Sequence, residues 1–168
     1  MKRLNYILFD NEFRENLKKI DEFEKDRIYC CHGMNHLLDV ARIASIHAFD
    51  EGLDIDREII YVTALLHDIG RARQYEFCED HDKAGVVIAE SILGRYDFTE
   101  EEILLITKAI AGHRGKDTAL NTSEDMQQSD ILKRLIKTAD NESRLCFMCE
   151  AEDTCKWSDS RKNKQLII

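Results

Sequence analysis

The chain has 168 residues, 43% of them hydrophobic and 34% charged. That is the composition of a soluble globular protein, long enough for one domain with a core of its own. It contains no proline and seven glycines, which argues against all-β folds and long loops, since both draw heavily on these residues. A formal net charge of −9 argues against a non-specific nucleic-acid binder, which needs a basic face. A small anionic substrate stays open, because a metal ion can supply positive charge locally.

No apolar run approaches the roughly 20 residues that span a bilayer. The apolar stretch from Tyr6 to Phe9 is cut by Asp10, short of the roughly 7–15 residues of a secretory signal. The protein is expected to be cytoplasmic, without a membrane partner, and its six cysteines to be reduced thiols rather than a disulfide framework.

A first helix is predicted over residues 11–29, from Phe13, Leu17, Ile20 and Phe23 at helical spacing. A second starts near Gly33, carries Leu37, Val40, Ala41, Ala44 and Ala48, and stops at Gly52. A third opens near Asp56, holds Ile59, Ile60, Val62, Ala64, Leu65 and Leu66, and closes by Gly70. A fourth covers residues 82–93, before Gly94. A fifth begins at a capping box, Thr99 with Glu102, and ends at Gly112. A polar loop over 116–128 leads to a sixth helix, opening at Ser129 or Asp130 and running through Leu132, Leu135, Ile136 and Ala139 into a cysteine-bearing tail. Period-two alternation is absent between these segments. The expectation is an all-α, single-domain orthogonal helical bundle of about six to seven helices, with its core at about residues 30–145.

The chemistry starts at TALLHDIG, residues 63–70. His67 and Asp68 follow an apolar run at a helix end, where an imidazole and a carboxylate are costly unless each finds a strong partner. A divalent metal is one such partner; an internally hydrogen-bonded pair is the plainer alternative. His36 stands early in a helix whose other face is apolar, and Asp140 deep in the last helix. His81, in a second His-Asp dipeptide, opens the fourth helix, and His113 ends the fifth in AIAGHRG.

The order H…HD…D, one set per major helix, resembles the HD superfamily of metal-dependent phosphohydrolases over roughly residues 30–145. The resemblance implies that His36, His67, Asp68 and Asp140 hold a metal, with His67 and Asp68 central to catalysis. With His81 and His113 the arrangement is similar to the binuclear bacterial dinucleoside polyphosphate hydrolases of that superfamily. There Asp68 would bridge two ions and His81 and His113 would serve the second. One or two divalent transition metals are implied; histidine and carboxylate ligands suit Fe, Mn, Co, Zn or Ni and do not choose among them.

The expected activity is hydrolysis of a phosphate ester or anhydride of a small phosphorylated substrate, a nucleotide, by a metal-activated water; no nucleic-acid polymer is expected as partner. Arg71, Lys83, Arg114 and Arg144 lie near the proposed ligands and could contact phosphate, although each alone is as readily a solvated helix end. A non-catalytic nucleotide-binding sensor, a mononuclear nucleoside monophosphatase and a plain structural bundle are the competing readings. The Gly-Tyr-Pro signature of the cyclic-di-GMP-cleaving subclass is absent, as the chain has no proline. His32, one turn before His36, either faces the same site or begins the helix, and the second is preferred. His47 is read as structural. Cys146, Cys149 and Cys155 have the spacing C-x2-C-x5-C and could bind zinc or an iron–sulfur cluster with a fourth ligand. The plainer alternative makes Cys146 and Cys149 small buried hydrophobes, with Cys155 against Trp157.

Overall fold

The computed structural model describes residues 1–112 and 127–166. Eight α-helices occur among the described residues: α1 (Lys2–Leu8), α2 (Asn11–Glu24), α3 (Met34–Asp50), α4 (Arg57–Leu66), α5 (Arg71–Phe77), α6 (His81–Leu93), α7 (Glu100–Gly112) and α8 (Gln128–Glu142). Three short 3-10 turns, Cys146–Met148, Glu152–Thr154 and Asp159–Arg161, follow in the tail. The all-helical class is as expected. The helices not foreseen, α1 and α5, have seven residues each, about two turns, too few for an apolar period to show.

Local chemistry sets most boundaries. The Asp10 carboxylate accepts the Phe13 N–H and starts α2. This helix stops at Glu24 rather than near residue 29, because the apolar period lapses at Lys25, Asp26 and Arg27. Asp56 caps α4 through the Glu58 N–H. Thr99 and Glu102 make both bonds of the capping box, at 2.9 and 3.2 Å. Gly52 closes α3 with φ +64°, its N–H bonded to Phe49 O and that of Leu53 to Ala48 O. This is the Schellman pattern, whose left-handed position favours glycine.

Helices α3, α4, α7 and α8 pack on one another around the centre of the core. Leu37, Val40 and Ala44 of α3 meet Ile60, Ala64 and Leu65 of α4, Ile106 and Ile110 of α7, and Leu132, Leu135 and Ile136 of α8, all buried in one cluster. Around this centre, α6 lies on α7, α5 on α6 and α2, and α1 on α4. No helix among the described residues is long and apolar enough to cross a membrane.

The turn from α4 to α5 positions the polar residues. Ile69 is fully buried and Gly70 lies directly against α6: a Cβ there would sit 2.0 Å from His81 O and 2.4 Å from Gly85 N. The start of α6 is thereby pressed against the His67–Asp68 corner.

Candidate metal centre

His67 sits at the C-terminal end of α4, fully buried. Its Nδ1 lies 2.7 Å from the carbonyl oxygen of Ala64. A carbonyl can only accept, so the ring proton is on Nδ1, and Nε2 faces Asp68 Oδ2 at 3.3 Å. His36, in the first turn of α3, is fixed similarly. The Ser143 hydroxyl donates to Asp140 O at 2.8 Å, so at 3.2 Å from His36 Nδ1 it accepts the ring N–H. His36 Nε2 then points into the site, 3.5 Å from Asp140 Oδ1 and 3.8 Å from Asp68 Oδ2. It is buried and makes no hydrogen bond.

Helices α3, α4 and α8 thus bring together His36, His67, Asp68 and Asp140, whose candidate ligand atoms all lie within 4.8 Å of one another. The donor set suits a divalent ion: a buried imidazole nitrogen without a hydrogen bond, and two carboxylates with no lysine among the four. Electrostatics agree. Burial pulls the His67 imidazole down, but the charge and hydrogen bond of Asp68, the Asp140 charge and the Ala64 carbonyl together outweigh burial and raise its pKa; a cation at this point would displace the proton so favoured.

The other oxygen of Asp68 faces α5 and α6. Arg71 Nε is 2.8 Å from Asp68 Oδ1, and the His81 Nε2 is 3.8 Å from it. Arg71 is buried; burial lowers its pKa, and the charge and hydrogen bond of Asp68, with the charges of Tyr75 and Glu24, together more than reverse this. His81 is also buried, with Nε2 2.7 Å from Asp82 Oδ1. Asp80, His81 and Asp82 form a second group of possible ligands, although Asp80 is the exposed N-cap of α6. His113 and Arg114 lie outside the described residues, as does most of the loop at 116–128.

The remaining expected site residues lie elsewhere. Lys83 is turned to solvent beside Asp80, at 3.6 Å. Arg144 is bound to its own helix end, with Nε 3.0 Å from Asn141 O, and its guanidinium lies over the Trp157 ring at 4.7 Å. Cys146 is buried and Cys149 and Cys155 half-buried; together they form no metal-sized group among the described residues. His47 pairs with Glu142 at 2.5 Å.

His32, read as a helix start, stands just before α3, whose N-cap is Gly33, but its ring turns inward. Glu24 Oε2 accepts its backbone N–H and Oε1 its Nδ1–H, both at 2.6 Å, and Nε2 lies 3.9 Å from Asp68 Oδ2. Burial pushes Glu24 up, but the hydrogen bonds from His32 and Tyr75 outweigh it and hold its pKa down to about 2. Burial also keeps the His32 pKa below its usual value. Glu24, Tyr75 and Asp82 escaped the sequence reading; the His81-Asp82 dipeptide was the signal for Asp82, and none existed for the other two.

The comparisons with known proteins give the family. The HD domain family model matches residues 33–145, a span containing all four members of the cluster. The chain belongs to the HD domain family. It is 43% identical over 163 residues to an uncharacterized protein of Clostridium beijerinckii, covering 97% of each chain. It is 30% identical over 108 residues to ribonuclease Y of Acetivibrio thermocellus, over 64% of this chain but 17% of that one. A solved structure of a predicted HD superfamily hydrolase from an uncultured Thermotogales bacterium shares the fold, with TM-score 0.59 and 24% identity over 89% of this chain and 80% of the other.

Proposed function

We propose that the protein is a metal-dependent phosphohydrolase that cleaves a phosphate ester or anhydride of a small phosphorylated molecule, a nucleotide, with His36, His67, Asp68 and Asp140 as metal ligands. The observation that carries this is the buried, unbonded His36 Nε2 facing both Asp68 and Asp140. When bound, a divalent ion supplies Lewis acidity toward a phosphoryl oxygen and a water of lowered pKa. Asp68 orients the site: Oδ2 faces His36 and His67, while Oδ1 is held by Arg71. Ala64 and Ser143 keep the ring protons of His67 and His36 on Nδ1, so that both Nε2 atoms present lone pairs. Asp140, with its side chain 34% exposed, marks the side from which substrate and water arrive. The net charge of −9 disfavours a polymeric nucleic acid as substrate. The likeness to ribonuclease Y spans only 17% of that protein.

One ion on the Oδ2 side is the primary reading, since the Arg71 guanidinium at 2.8 Å already neutralises Oδ1. A two-ion form is favoured by a separate observation, His81 Nε2 at 3.8 Å from the same Oδ1; it requires the Arg71 pair to yield.

Elemental analysis of the purified protein, with a screen of nucleoside monophosphates, dinucleoside polyphosphates and phosphodiesters, tests the reading. Bound transition metal and turnover, both lost in Asp68→Ala, are expected, and the metal content counts the ions. Wild-type turnover by Asp68→Ala would refute the mechanism. Metal and nucleotide binding without turnover would make the protein a sensor.

A further inference from the structure

Three imidazoles converge on one carboxylate oxygen. From Asp68 Oδ2, the Nε2 atoms of His67, His36 and His32 lie at 3.3, 3.8 and 3.9 Å. Each ring has its Nδ1–H committed elsewhere, to Ala64 O, Ser143 Oγ and Glu24 Oε1. The His36 and His32 rings meet edge to face at 5.4 Å. Two atoms bound to one ion at metal–N and metal–O lengths stand no more than roughly 4.3 Å apart; all three separations satisfy that limit. His32 is not one of the four residues grouped within 4.8 Å, yet it holds the same relation to Asp68 as His36 does.

The carboxylate behind His32 is the second observation. A ligating histidine almost always donates its other ring N–H to a carboxylate or carbonyl, which fixes the ring and raises its basicity. Glu24 does this at 2.6 Å, from the last residue of α2. It also accepts the His32 backbone N–H and the Tyr75 hydroxyl. Glu24 and His32 are both buried, and a helix-start histidine has no need of a buried carboxylate clamped from three directions.

We infer that His32 is a further ligand of the metal centre, oriented by Glu24 and Tyr75, so that the protein part of the site comprises three histidines and two aspartates. This rests on the metal-centre reading above. The neutral Nε2 lone pair of His32 binds the ion on the side of the cluster nearest α2. Glu24 does not touch the ion and acts as a positioning residue through the Nδ1–H bond.

Cobalt(II) binding to the metal-stripped full chain tests this, read by calorimetry and by the visible absorption of the bound ion. The variants are His32→Ala, His32→Gln, Glu24→Gln and the double variant Glu24→Gln/His32→Ala. Glu24→Gln should bind cobalt roughly 10–100-fold more weakly, and the His32 variants should lose at least as much, with an altered spectrum. The double variant should be no weaker than His32→Ala alone, because Glu24 acts only through His32. Wild-type affinity and spectrum in a folded His32→Ala or His32→Gln protein would overturn the ligand role while leaving the metal centre intact. Should Glu24→Gln weaken binding equally with and without His32, its positioning role is wrong. Absence of cobalt binding by the wild-type chain would remove the metal centre and this inference together.

Discussion

Gly70 and Gly85 meet backbone to backbone where α5 begins and α6 passes. The contact is asymmetric: a Cβ on Gly70 would lie 2.0 Å from His81 O and 2.4 Å from Gly85 N, whereas one on Gly85 would meet only Ile110 Cγ2 inside 3.4 Å, at 3.3 Å. Gly70 has φ −69°, so proximity, not backbone conformation, demands glycine there. Gly70→Ala should destabilise by at least about 2 kcal/mol, since backbone cannot move aside as a side chain can. Gly85→Ala should fall within about 1 kcal/mol of wild type, as the helix propensity of alanine offsets a small shift of Ile110. Chemical denaturation distinguishes the two.

Arg71 shows how the site tolerates its own charge. It is buried beside Asp68, 2.8 Å from Oδ1. Arg71→Met should cost the metal-free protein about 3 kcal/mol, because breaking a buried pair leaves a charge without its partner. Manganese should restore part of the loss by supplying the missing positive charge. Thermal melts with and without the ion measure this; an equal deficit in both would detach Arg71 from the electrostatics of the centre.

Part of the acid sensitivity should originate far from the metal centre, at Asp10. Burial pushes the Asp10 pKa up, but the hydrogen bonds from the Phe13 N–H, Arg95 and Tyr96 outweigh it and hold it below the usual 3.8. A depressed carboxylate contributes stability that is complete above its unfolded pKa and fades as pH falls through its folded one. Asp10→Asn keeps the helix cap but weakens the Arg95 pair. Its deficit should reach about 1–3 kcal/mol near neutral pH and shrink once the pH drops below 3.8. Denaturation series at neutral and acidic pH give the difference; a deficit that grows with acidity would contradict the assignment.

One amide ties the tail back to the end of α8. Asn163 Nδ2 donates to Asn141 O, Glu142 O and Arg144 O at 2.7, 3.2 and 2.9 Å. The Arg144 and Arg161 guanidiniums lie over the ring of Trp157, the single tryptophan, at 4.7 and 4.2 Å. Asn163→Ala should lose about 1–2 kcal/mol and make Trp157 fluorescence easier to quench, with helical circular dichroism unchanged.

The long helices were legible because their signals are local. Thr99 and Glu102, Asp56, and Gly52 announce helix ends within a few residues, and the apolar periods of α3, α4 and α8 pick out their buried faces. His36, His67, Asp68 and Asp140 could be singled out because their order H…HD…D along apolar helices resembles the HD superfamily. Contacts between residues far apart in the chain escaped. Tyr75 reaches Glu24 across 51 positions, and no spacing rule announces that. Glu24 looked like one more charged residue on an amphipathic helix until the connection after α2 folded His32 back onto it. Lys83 and Arg144 have suitable places in the chain but turn away, to Asp80 and to Asn141 and Trp157; side-chain direction was not in the pattern.

The four clustered residues differ sharply in their access to water: the side chains of His67 and Asp68 are 0% and 2% exposed, His36 12% and Asp140 34%. An ion held at this centre would therefore be released first by Asp140, the residue for which solvent can offer a replacement. The others keep their places because the helix core and their own hydrogen bonds, not the ion, hold them there. Loading and stripping become surface events on a finished fold. A chelator should empty the centre and leave the helices standing, and the speed of exchange should follow the residue at position 140 more closely than the global stability of the protein.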